Sequence, residues 1–144
     1  MTDQQIDEIN KLKIPQIIKR GFTVSGILVD RVAGELIAGI KDRLPGYLHG
    51  GVDLARNAVK SLIEAKLGNP TTELLDATRI SNDIYAFNAI VSIPIRLAEI
   101  PGLSAAQVAI GDITFFIDIT ISGEVDILSQ TVSQIDYRDV MIRV

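Results

Sequence analysis

His49 is the only histidine in the chain, so any imidazole chemistry near neutral pH must run through it. It stands in the stretch Pro45-Gly46-Tyr47-Leu48-His49-Gly50-Gly51, with Asp53 the nearest carboxylate in sequence. A helix opening after Gly50-Gly51 would offer backbone N–H groups to an anion. The lysine or fuller glycine fingerprint of a phosphate cradle is missing, and an ordinary loop histidine is the simpler reading.

Carboxylates are the next candidates. Asp112, Asp118 and Asp126 are expected on one outer sheet face, with Asp118 and Asp126 diagonal neighbours across a hairpin. Such oxygens suit a hard cation, or paired acids that work on a glycoside. Neither the calcium-loop spacing nor stacking tryptophans accompany them. Acids on a wet strand face then read as solubilising charge that opposes wrong edge pairing.

Ser25-Gly26 and Ser122-Gly123 read as turns, because no G-x-S-x-G elbow occurs. The absence of cysteine removes a thiolate nucleophile, a disulfide and cysteine-ligated zinc. No catalytic residue, cofactor or metal site is assigned, and a non-enzymatic chain is expected.

Residues 11–20 (KLKIPQIIKR) carry four bases and no acid, interleaved with Leu12, Ile14, Ile17 and Ile18. Contact with an anionic membrane or with packaged nucleic acid is one use for such a segment. Docking on a neighbouring subunit is the favoured one. A net charge of −4 argues against a general nucleic-acid binder.

Twenty-three isoleucines against thirteen leucines and eleven valines point to a stiff, strand-rich, strongly apolar unit. A mean hydropathy of +0.30 is high for a chain that must also cover a small domain's surface. Apolar surface buried between copies accounts for it, since obligate interfaces resemble a core cut in half. The expected role is a self-associating subunit of a larger particle, such as a viral or phage capsid, tail or sheath. The alternative is a module for membrane surfaces or apolar ligands. Lys11, Lys13, Ile14, Ile17 and Ile18 of the N-terminal segment are candidate interface residues, with Ile93, Ile95, Leu97, Tyr137 and Met141 on edge strands.

The elements that would position these residues follow from periodicity. Residues 1–20 read as an arm, ordered or not according to its partner: Ile6, Ile9 and Leu12 share a helical stripe, and Pro15 stops any helix soon after. Val29, Ala33, Leu36, Ile40 and Leu44 predict a helix over 25–44, with Ala33, Gly34, Ala38 and Gly39 allowing close helix–helix approach. A second helix spans 52–67, ended by Gly68 and Pro70, and a third, shorter one spans 73–81. The two longer helices form an α-hairpin.

After Asp83 the period changes to two. Tyr85, Phe87, Ala89, Val91, Ile93, Ile95 and Leu97 alternate, and Pro94 marks that strand as an edge. Residues 110–122 form the next strand. Ser122-Gly123-Glu124 is a three-residue turn, because Ile119 and Ile121 must share a face with Val125 and Ile127. The last strand runs irregularly to Val144 with a bulge near 129–133.

The expected fold is α+β: a helical hairpin on one face of a three- to four-stranded antiparallel meander, one domain over 21–144. Without a signal-peptide pattern or a long uncharged apolar window, a soluble protein is expected, cytoplasmic or inside an assembled particle.

Overall fold

A computed structural model describes residues 1–22 and 26–144, so Ser25 of the expected Ser25-Gly26 turn lies outside the described residues. Helices α1 (Asp3–Gly21), α2 (Gly26–Lys41), α3 (His49–Leu54) and α4 (Arg56–Leu67) precede strands β1 (Thr71–Ser81) and β2 (Ile84–Arg96). A short helix α5 (Ser104–Ile110) then leads to β3 (Thr114–Asp126) and β4 (Thr131–Arg143). The strands form one antiparallel sheet in the order β1-β2-β3-β4, and the fold is helices packed on an open β-meander, as the periodicity predicted.

The chain forms two compact units. Unit 1 holds Met1–Thr23, Asn69–Ser92 and Ile119–Asp139; unit 2 holds Val24–Gly68, Ile93–Asp118 and Val140–Val144.

In unit 1, α1 is one helix and packs along β1. Thr2 caps it reciprocally: Gln5 N–H donates to Thr2 Oγ1 at 3.2 Å, and Thr2 N–H donates to Gln5 Oε1 at 2.8 Å. The helix does not stop after Pro15. A mid-helix proline costs about 3 kcal/mol. Burying Ile14, Ile17 and Ile18, at about 1.5–3 kcal/mol each, outweighs that cost. The buried stripe is therefore Asn10, Ile14, Ile17 and Ile18, while Leu12 of the expected stripe is exposed.

Residues 73–81, expected as helix, belong to β1. The β-branched Thr71, Thr72, Thr78 and Ile80 favour the extended form, and Asn82-Asp83 make a two-residue turn into β2. Ala77 opposes Phe87 and Arg79 opposes Tyr85, which puts these residues on the inner face. Register shifts near Leu75 and Ile80 give this edge strand two bulges.

β2 alternates as predicted, with Tyr85, Phe87, Ala89 and Val91 buried. It is a central strand, not an edge. Pro94 is tolerated because pairing with β1 ends at Ser92, so its missing N–H costs no bond to β1. The edges are β1 and β4.

β3 runs straight through Ser122-Gly123-Glu124, which are not a turn. Ile121 and Val125 have the same parity, so an unbroken strand meets the facing requirement as well as a hairpin would. Gly123 lies in that phase because space demands it: a Cβ there would stand 3.0 Å from Phe87 Cζ and 3.1 Å from Ser133 O. The chain turns later, at 127–130. Asp126 Oδ1 accepts from Leu128 N–H (2.9 Å) and Ser129 N–H (3.3 Å), and Gln130 takes φ +56°. The irregularity expected near 129–133 falls in β4 one residue past that range, at Gln134, with φ +54°.

In unit 2, α2 buries Val29, Ala33, Leu36 and Ile40 as expected and packs on α3 and α4. Among its small residues Gly39 makes the closest approach, where a Cβ would stand 3.3 Å from Ile142. The second helix begins earlier than expected, at His49, and breaks at Ala55 into α3 and α4. Gly50 and Gly51 therefore lie within a helical turn. α5 has no strong periodic signal in its seven residues and was not anticipated.

Gly123→Ala is expected to destabilise the chain by about 1–3 kcal/mol through overpacking. Gly50→Ala, helical with nothing within 4 Å of the added Cβ, should stabilise it by about 0.5–1 kcal/mol. Urea unfolding of the two variants would show the opposite signs.

Candidate interaction surfaces

The histidine is engaged structurally. His49 Nε2 lies 2.9 Å from Lys41 O and 3.0 Å from Leu44 O. Both are acceptors, so the ring carries its proton on Nε2 and ties down carbonyls at the C-terminal end of α2. Across the same elements Lys41 Nζ pairs with Asp53 at 3.0 Å. The cap occupies Nε2 as donor and leaves Nδ1 as the ring's acceptor.

The three outer carboxylates do not converge. Asp112 accepts from Arg96 Nη2 at 2.8 Å and from Ala98 N–H at 3.2 Å, which hold its carboxyl below the usual range, the arginine more strongly. Asp118 accepts from Arg143 Nε at 2.9 Å. Asp126 serves the turn described above. Asp118 and Asp126 stand on one strand, eight positions apart, instead of diagonally across a hairpin. Among the described residues no group of acids, histidines or cysteines is placed to hold a metal ion.

A polar cluster that the sequence reading missed fixes α1 to the inner face of unit 1. Tyr85 is fully buried, and its hydroxyl donates to Asp7 Oδ1 at 2.5 Å while accepting from Asn10 Nδ2 at 3.1 Å. Arg79 Nε donates to the same Asp7 oxygen at 2.8 Å, and Arg79 lies 5.7 Å from the Tyr85 ring centre. The Tyr85 hydroxyl first, then Arg79, hold the Asp7 carboxyl below its usual range. One signal was readable: Tyr85 sits in the buried phase of a strand, and a buried phenol needs a partner.

Of the ten candidate interface residues, Ile14, Ile17, Ile18, Ile93, Ile95 and Leu97 are core and are not available to a partner. Tyr137 is half-buried, its ring edge-on to Phe22 at 6.0 Å. Lys11 is half-exposed; Lys13 and Met141 are exposed.

The prominent exposed apolar surface lies elsewhere, in unit 2. Tyr47 is 83% exposed, and Leu54 and Val108 are 89% exposed. Residues 45–52 and 100–111 contain no Asp, Glu, Lys or Arg. These two stretches meet in a shallow hollow of about 150 Å³ lined by Tyr47, Leu48, Gly51, Leu103, Ala105 and Ala106. Tyr47, Gly50, Gly51 and Leu54 follow helical spacing through the 3-10 turn Gly46–Leu48 into α3, so two large apolar knobs flank a glycine gap.

Fold and surfaces together define an α+β protein with helices on an antiparallel meander. The chain matches no protein-family model, no curated protein and no solved structure. Among the described residues no helix is long and apolar enough to cross a membrane.

Tyr85→Phe should leave the buried Asn10 amide without its acceptor and lower stability by about 1–3 kcal/mol. The Asp7 carboxyl is more acidic folded than unfolded. Its contribution is therefore present above the unfolded value of about 3.9 and lost as pH falls through the folded value. Asp7→Asn should flatten the loss of stability below about pH 4, measured by thermal unfolding at stepped pH. His49→Phe, which removes the N–H but keeps a ring, should cost about 0.5–1.5 kcal/mol in urea unfolding.

Proposed function

We propose that the chain is a non-enzymatic, self-associating subunit of a larger particle. The observation that carries this reading is the hollow of unit 2 that no charged residue lines, with Tyr47 of its lining 83% exposed. Isolated exposed leucines are ordinary, but a charge-free apolar hollow with an exposed tyrosine in its lining marks a surface that another molecule covers. Tyrosine is also among the residues that most often anchor interfaces. The outer acids Asp112, Asp118 and Asp126, each tied to an arginine or to backbone N–H groups and not to one another, support a role without catalysis.

Edge-strand pairing, the other route to assembly, draws less support. β1 carries two bulges, and β4 carries a positive-φ residue with Asp136, Arg138 and Asp139 close behind it. Bulges and charges are the devices by which sheet edges resist pairing. The second reading, a module for membrane surfaces, draws on the same Tyr47 and Leu54 and on the bases of α1.

Light scattering coupled to size exclusion, over about a hundredfold range of concentration, tests the proposal. A defined oligomer is expected, and Tyr47→Lys with Leu54→Lys should weaken it by about tenfold or more, the equivalent of 1.4 kcal/mol. A 15.6 kDa monomer at every concentration would sink the idea.

A further inference from the structure

The charges of unit 1 are segregated by face. α1 carries Lys11, Lys13, Lys19 and Arg20 in its second half with no acid among them, and Lys13 and Lys19 form no ion pair among the described residues. The strand segments of the unit, 71–92 and 119–139, carry seven acids and two bases. One of those bases, Arg79, is spent internally on Asp7.

The two charged surfaces point away from each other. α1 is held on the inner face through Asn10, Asp7 and Tyr85. Asp76 opposes Asn88 and Thr78 opposes Ala86 in the other phase, so these residues lie on the outer face. Glu124 alternates with the buried Ile121 and Val125 phase and joins them there. Asp76, Asn88, Glu124, Gln134, Asp136 and Arg138 surround an open concavity of about 430 Å³. Glu124 has no hydrogen bond or ion pair among the described residues, while Asp136 pairs with Arg138 at 3.3 Å in a well-exposed contact that leaves the carboxylate open to a further cation.

The second half of α1, basic and without an acid, with Leu12 82% exposed beside Lys13, lies on one side of the unit. An acidic hollow with Ala86 in its lining lies on the other. Within one copy these surfaces cannot meet, whereas between copies they are complementary in charge. We infer that the α1 face of one copy docks on the outer sheet face of the next, Lys13 and Lys19 against Glu124 and Asp136. This rests on the self-association reading and gives it a partner and a polarity. The contact is heterologous, so repetition gives a ring if the rotation closes and a stack or filament if it does not. Its attraction is a between-face field of exposed groups, and added salt screens it.

A charge swap tests the pairing in the full-length chain. Sedimentation velocity at about 0.02 M and about 0.5 M salt, where the screening length falls severalfold, should show association that weakens with salt. K13E/K19E and E124K/D136K should each weaken association by about tenfold or more, as expected for losing two complementary pairs and gaining repulsion. An equimolar mixture of the two variants should associate in alternation, because each helix then meets an oppositely charged hollow, and the quadruple variant, which restores both partners in one chain, should restore association as well. Circular dichroism and thermal unfolding establish that each variant is folded.

An oligomer indifferent to salt and to both reversals overturns this contact and leaves self-association standing. Loss in both double variants without restoration in the quadruple overturns the direct pairing. A monomer under all conditions overturns both readings. A monomer that sediments with phosphatidylserine vesicles, and stops doing so on K13E/K19E, makes the membrane the occupant of the α1 face and overturns the second copy.

Discussion

A strand that is apolar at every second residue for its whole length must have one face dry, and two such strands side by side make that demand twice. β2 and β3 are each thirteen residues long and adjacent in the sheet. Between them Tyr85, Phe87, Ala89, Val91, Phe115, Ile117, Ile119 and Ile121 are at most 2% exposed. The helices are the cover this face requires, and Ile93, Ile95, Ile117, Ile119 and Ile121 are its share of the isoleucine excess. Stiff β-branched side chains lose little rotamer freedom there and fill the pleat well.

That constraint also explains the placement of the polar exceptions. Three inner-phase residues that are not simple hydrophobes, Arg79, Tyr85 and Gly123, show how the layer accommodates them. Arg79 and Tyr85 are satisfied by Asp7 and Asn10 of α1, so the helix that covers this part of the sheet brings its own hydrogen-bond partners. Gly123 leaves the room that the Phe87 ring occupies. Each is a local departure from the apolar rule with a named compensation across the layer.

Long alternation was legible without the structure, and so were the α2 stripe, the α4 stop at Gly68-Pro70 and the fold class. Three features were not, for three different reasons. Gly123 between Ser122 and Glu124 has turn chemistry, but turn propensity is local and the contact with Phe87 that demands a glycine is not. Residues 73–81 are short and ambiguous, and pairing with β2 settled a contest that local preference left open. Pro15 carries a fixed local penalty, whereas the burial that overrides it depends on what the helix meets. The interaction surfaces were harder still. Isoleucine content signalled apolar surface, yet just over half of that isoleucine is core, and Tyr47, Leu54 and Val108 are exposed in segments with weak periodicity.

Pro15 also divides α1 in a way that bears on how the helix comes apart. It withholds one backbone donor from the ladder, so the turns on either side are joined less firmly than a continuous helix would be. The Asp7 and Asn10 anchors lie before that point, while Ile17 and Ile18 lie after it. Fraying that begins at Thr2 therefore meets a boundary at the proline. The first three turns can open and close as a small cooperative segment while the last turns stay seated, giving amide hydrogens on the two sides of one helix distinct lifetimes against exchange with solvent.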